Sequence, residues 1–231
     1  MPKRPKVVLQ YRGPLSAQQI ADGMNAAFRN ATRLYEDADL LFKQERYPTA
    51  CSLAILSIEE AGKIPLLRAM VGVTDESTLK ERWKGYRNHQ AKNVAWVISD
   101  LVAKSAKTLQ DLAPMLDETS EHPVLIDVIK QLGFYSDCYG NAHWSEPAVV
   151  MDKKMTKQMM FLARVLLPRR EMKVREIELW NKHVTPHWGT PEMMQGAVNY
   201  HKALIEEGLD NSTMEEIEAF YGTKGQEQKA Q

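Results

Sequence analysis

The sequence predicts an all-α fold, an antiparallel helical bundle with additional helices at its C-terminal end. Three observations carry that reading. An apolar residue recurs every three or four positions through residues 16–43, the period of one helix face. Residues 48–70 are apolar on nearly every side, which marks a central, buried helix. No alternating strand pattern runs for more than a few residues.

Composition sets the outer bounds. With 231 residues, 44% apolar and 26% charged, the chain has the make-up of an ordinary globular protein. Thirty Lys and Arg balance thirty Asp and Glu, which excludes a globally basic nucleic-acid coat but leaves room for a local basic groove. Two cysteines, Cys51 and Cys138, make no disulfide framework and fit a reducing, cytoplasmic setting. The opening Met-Pro-Lys-Arg-Pro-Lys has no apolar run behind it and does not read as a signal peptide. No stretch approaches the roughly 18 apolar residues of a membrane span, so no membrane partner is expected.

Taken in order, residues 1–15 form an N-terminal arm broken by Pro2, Pro5, Gly13 and Pro14. Ser16 is the expected N-cap of a helix running to about residue 43, with Ile20, Met24, Ala27, Ala31, Leu34, Ala38 and Leu41 along its buried stripe. A short link leads to the central helix, where Pro48 suits the first turn. Pro65 is a candidate kink. Within this helix Glu59, Glu60 and Lys63 are stranded among apolar neighbours, and buried charges demand partners. Glu59 and Lys63, four apart, are expected to pair. A third helix is expected over residues 77–109, a loop over 113–123, a fourth helix over 124–132, an irregular aromatic segment over 134–147 and a helix over 148–167. Residues 168–231 read as an extension with helices at 174–183 and 191–207, a last helix capped by Ser212 and a frayed tail.

Chemistry concentrates in residues 80–92, which carry five Lys or Arg, one His and one acid, with Trp83 and Tyr86 between them. On a continuous helix Arg82, Tyr86, His89 and Lys92 fall near one face. Cations flanked by aromatics suit a phosphate backbone with unstacked bases, although a solvated amphipathic face has the same composition. His89 is a candidate general base or acid, and Arg82 a candidate to stabilise a developing phosphorane. Residues 206–218 carry six acids and no Lys or Arg, which fits a solvated helix with a frayed end and also allows a C-terminal acidic helix lying over the basic groove. Other site classes lack their signatures. No Glu-x-x-His pair supports a di-iron bundle, and Cys138, His143, His183 and His187 lack zinc-site spacing. There is neither a Gly-rich phosphate loop nor a Gly-x-Ser-x-Gly elbow. No metal or cofactor is expected.

Three pieces in this order resemble the AbiV family of abortive-infection proteins, within the wider group of HEPN helical domains. They are Ser57-Ile58-Glu59-Glu60-Ala61-Gly62-Lys63 on the central helix, His89-Gln90-Ala91-Lys92, and Lys130, Gly133, Phe134, Tyr135 and Asp137 followed by Trp144-Ser145 and Pro147. The resemblance spans roughly residues 17–167 and implies a HEPN bundle over 16–167, often a homodimer, acting against phage. HEPN ribonucleases commonly carry Arg-x(4–6)-His; Arg82 and His89 match its upper limit, with Trp83 where a polar residue is usual. Two function classes follow. One is a metal-independent ribonuclease that blocks translation, with His89 as base, Glu59 or Glu60 orienting it, and Arg82, Lys63, Arg87, Lys92 and Tyr86 at the RNA. The other is a non-catalytic module that binds RNA or a phage protein, with the helix-two charges as a structural network. A phage protein as trigger or inhibitor is an expected partner in either case.

Overall fold

A computed structural model describes residues 9–88 and 122–222. Its spine is a pair of antiparallel helices, α1 (Ala17–Lys43) and α2 (Tyr47–Arg68). Ser16 caps α1 in a capping box: its Oγ accepts from the Gln19 N–H at 3.2 Å, and its own N–H donates to the Gln19 side chain at 2.9 Å. Of the expected stripe, Ile20, Met24, Ala27, Ala31, Leu34 and Ala38 are buried, while Leu41 is only half-buried. Glu45 takes a left-handed conformation (φ 59°) and reverses the chain, and Pro48 follows in the first turn of α2. The small side chains of Ala31 and Ser57 let the two helices close up, and the Ser57 hydroxyl donates to the Ala31 carbonyl at 2.7 Å. Pro65 lies inside α2, which continues to Arg68.

α3 (Glu76–Arg87) is capped by Asp75, whose carboxylate accepts from the Thr78 N–H at 3.0 Å. It ends far short of the residue near 109 that the sequence suggests. Asn88 is extended (φ −79°, ψ 125°), and its N–H closes the helix on the carbonyls of Lys84 and Gly85. Lys84 and Arg87 in the last turn suit the negative end of the helix dipole. The rest of that expected helix, and most of the expected loop before residue 122, lie outside the described residues.

α4 (His122–Phe134) crosses α2 at its N-terminal end. Gly133 makes the crossing possible: a Cβ there would run into the Ser52 hydroxyl and stand 2.9 Å from the Pro48 carbonyl oxygen. The aromatic segment that follows is a small antiparallel hairpin, β1 (Asp137–Tyr139) with β2 (His143–Ser145), in the register Asp137 to Ser145. Gly140 and Ala142, both at positive φ, form its turn. Ser145, buried, bonds its hydroxyl to both the N–H and the carbonyl of Asp137, each at 3.2 Å. Strands of three residues are too short to show alternation in a sequence.

The helix expected over 148–167 is two helices, α5 (Pro147–Val150) and α6 (Lys153–Leu166). Met151 turns into the core between them, and Asp152 restarts the helix by accepting from the Met155 N–H at 2.7 Å. α7 (Val174–His183), α8 (Met193–Glu206) and α9 (Met214–Tyr221) complete the described chain. Thr213, not Ser212, caps α9, because the Ser212 hydroxyl is taken by Asp210 at 2.8 Å. The C-terminal helices share the main core. Ile177 packs with Ile20, Met24, Leu67 and Trp83, Asn25 exchanges two hydrogen bonds with the backbone of Met172 (2.9 and 2.7 Å), and Arg29 pairs with Glu171 at 2.6 Å. At the other end of the spine Ala38, Cys51, Ile55, Ile58 and Met151 pack against Met159, Met160 and Ala163 of α6. Burial there pushes the Cys51 thiol up to about 12 and leaves it unreactive. No helix among the described residues is long and apolar enough to cross a membrane.

Replacing Gly133 by Ala should cost about 1–3 kcal/mol through overpacking. Gly85→Ala meets no atom within 4 Å and should stabilise α3 by up to about 1 kcal/mol. Urea denaturation of the two variants beside the parent checks both.

Candidate functional site

α2 sends its mid-helix charges in two directions. Glu59, 3% exposed, turns toward α4, where its carboxylate meets the Lys130 ammonium at 2.6 Å. Lys130 is itself buried and holds a second carboxylate, Asp127, at 2.7 Å. Burial alone would lower the pKa of Lys130; the hydrogen bonds from Asp127 and Glu59 outweigh it, so the value is raised and the ammonium stays charged. The carbonyl of the same residue accepts from the Ser52 hydroxyl at 3.1 Å. Side chain and backbone of Lys130 thus both bind α4 to α2, and Gly133 one turn later permits the approach. The Lys130-x-x-Gly133 spacing has a packing cause.

Glu60 and Lys63 face the other way. They pair with each other at 2.5 Å, both about one-fifth exposed, and the Lys63 ammonium stands 5.8 Å from the centre of the Tyr86 ring on α3. The expected Glu59–Lys63 pair is therefore replaced by two others. Helix spacing exposes only neighbours on the same helix, whereas the partner of Glu59 lies 71 positions away on another element.

α3 carries the remaining described candidates. The Arg82 guanidinium lies 5.6 Å from the centre of the Trp188 ring, a residue the sequence reading did not single out. Tyr86 stands edge-on to Trp83 at 5.5 Å. Arg87 stacks 4.8 Å over the Trp83 ring and donates to the Tyr11 carbonyl at 2.5 Å. His89 and Lys92 lie outside the described residues. α3 ends at Arg87, with Asn88 extended. Among the described candidates Glu60 and Lys63 pair on the side of α2 where Lys63 meets Tyr86, and Glu59 meets Lys130 of α4. The acidic C-terminal segment is engaged locally. Glu207 is taken by Arg175 at 2.8 Å and Asp210 lies 3.3 Å from His201, while no ion pair joins the segment to Lys80, Arg82, Lys84 or Arg87. Sequence reasoning also missed Lys130 as a partner of the helix-two acids, although its spacing to Gly133 was the available signal.

A long antiparallel helix pair, with α6 along one end of it and the short polar α3 at the rim of the other, is an all-α arrangement consistent with a HEPN-like fold. The family model for AbiV, HEPN_AbiV, matches residues 19–168, from the first turn of α1 to just past the end of α6. The chain belongs to the AbiV family. No curated protein and no solved structure matches it. Lys130, Gly133, Ser145 and Glu59, which hold the described bundle together, all fall inside the matched span, and α7 to α9 fall outside it.

Truncating Glu59 to Ala leaves the Lys130 ammonium buried with only Asp127 to answer it, so a loss of about 3–5 kcal/mol is expected. Lys63→Ala removes a partly exposed pair on one helix and should cost no more than about 1 kcal/mol. Guanidinium denaturation of both variants gives the comparison.

Proposed function

We propose that this AbiV-family chain is an anti-phage abortive-infection effector that blocks translation by acting on RNA. The observation that supports an RNA target is the rim of α3, where Arg82 stands against Trp188 and, one helical turn on, the Tyr86 ring stands beside the Lys63 ammonium of α2. The chemistry proposed is metal-independent cleavage. His89 takes the proton of a ribose 2′-hydroxyl, the 2′-oxygen attacks the adjacent phosphorus as the bond from phosphorus to the 5′-oxygen breaks, and the 5′-oxygen takes its proton from water. The products are a 2′,3′-cyclic phosphate and a 5′-hydroxyl. Arg82 would stabilise the charge that builds on the phosphorane oxygens. Glu60, paired with Lys63, and Glu59, paired with Lys130, are the two candidate orienting acids. A homodimer and a phage protein as trigger or inhibitor complete the reading and rest on kinship with HEPN proteins.

One observation favours a second reading, a module that binds RNA or a phage protein without cutting. Both helix-two acids are already in ion pairs, as a purely structural network requires. Incubating the full-length protein with total RNA and a chelator separates the two. Cleavage with 5′-hydroxyl ends by the parent, lost in His89→Ala and reduced at least about a hundredfold as expected for a general base, is the outcome of the first. Intact RNA that is nevertheless retained by the protein is the outcome of the second.

A further inference from the structure

Arg12 faces α3 across an open cleft of about 700 Å³ whose lining holds none of the residues given a part in the cleavage step above, though it includes Arg87, which the family resemblance puts at the RNA. Lys80, Lys84 and Arg87 line its α3 wall at spacings of four and three, one helical stripe about 10 Å long at 1.5 Å per residue. The opposite wall is the chain before α1, and it is strapped down. The Trp83 indole N–H donates to the Gly13 carbonyl at 3.0 Å, Arg87 donates to the Tyr11 carbonyl at 2.5 Å, and the Tyr11 hydroxyl donates to the Pro14 carbonyl at 2.7 Å. Arg12 lies between two anchored neighbours, so its backbone is held beside the α3 cations.

Among the described residues the cations of this cleft are not matched by acids. Arg12, Lys80 and Lys84 make no ion pair with any described residue, and the hydrogen bonds of Arg87 go to neutral carbonyls. Among the described lining residues Glu76 is the one acid, against four cations, in a chain whose net charge is zero. Like charges gathered this way repel unless an anion enters among them. Trp83 does not offer a stacking surface: it is 7% exposed, its N–H is used and Arg87 covers its face.

We propose that the Arg12–α3 cleft binds the phosphates of single-stranded RNA, as a backbone contact separate from the Arg82–Tyr86 face. The inference rests on the RNA-directed reading above and adds to it a second site and a mode of contact. The guanidinium groups suit phosphate oxygens by their forked geometry, and the two ammonium groups act as point charges. Contacts to phosphate alone position a strand without reading its sequence. Free nucleotide phosphates share this chemistry.

The test is binding of a fluorescent single-stranded 12-nucleotide RNA to the full-length protein across a range of salt concentrations. Each phosphate contact on a single strand contributes about −0.7 to the slope of log affinity against log salt, so Lys80→Ala/Lys84→Ala should flatten the slope by about 1.4. Arg12→Ala should flatten it by about half as much, and Lys80→Arg/Lys84→Arg should keep the parent slope. An unchanged slope and affinity in Lys80→Ala/Lys84→Ala overturns the cleft while leaving RNA as the target. Absence of RNA binding by the parent at every salt concentration overturns the RNA-directed reading and the RNA occupant together. Calorimetry with inorganic triphosphate then judges the cleft by itself. Binding to the parent and not to Lys80→Ala/Lys84→Ala supports an anion site supplied by free phosphates, and no binding to either overturns the cleft.

Discussion

Glu59 and Lys130 meet at 2.6 Å with 3% and 6% of their surfaces exposed, and charges so placed tolerate little error in the helices that carry them. Each ion loses several kcal/mol of hydration on burial, an amount recovered only with close geometry and further hydrogen bonds. Both conditions are met. Asp127 supplies a second carboxylate to Lys130 at 2.7 Å, and Ser52 reaches the Lys130 carbonyl at 3.1 Å. The requirement acts as a docking rule: α4 must cross α2 where Lys130 reaches Glu59, and that crossing needs the absent Cβ of Gly133 against Ser52 and Pro48.

The same rule divides the surface of α2. With Glu59 turned into the α4 contact, Glu60 and Lys63 project toward α3 and Tyr86. α3 itself is held to the spine mainly through Leu79 and Trp83, its two buried residues. Its other side chains are left to the rim, with Arg82 and Tyr86 toward Trp188 and α2, and Lys80, Lys84 and Arg87 toward Arg12. The proposed RNA contacts thus occupy two sides of one short helix. The C-terminal helices, outside the AbiV match, help to build this rim: Ile177 packs under Trp83 in the shared core and Trp188 carries Arg82.

Much of the fold was legible because it is written in local periodicity and capping. α1 starts at the Ser16 cap and buries the predicted stripe as far as Ala38, and α7 occupies the predicted residues 174–183. What escaped was decided at single residues or at long range. Asn88 leaves the helical region and ends α3, and Met151 exchanges helix continuity for burial. The hairpin strands are three residues long. At the site, the need of the helix-two charges for partners was legible, but the identity of the partner was not. Glu60 took Lys63 from within the helix, while Glu59 required a lysine that only the packed fold brings near. Arg12 and Trp188 carry no local signal that ties them to α3.

The most direct test of the docking role of the buried pair is a double-mutant cycle on Glu59→Leu and Lys130→Met, read by equilibrium unfolding. If the pair fixes the α2–α4 crossing, each single substitution removes the main counter-charge of the group left behind and is costly, the double substitution recovers most of the loss, and the coupling reaches about 2–3 kcal/mol. Losses that simply add, with coupling below about 0.5 kcal/mol, would contradict it.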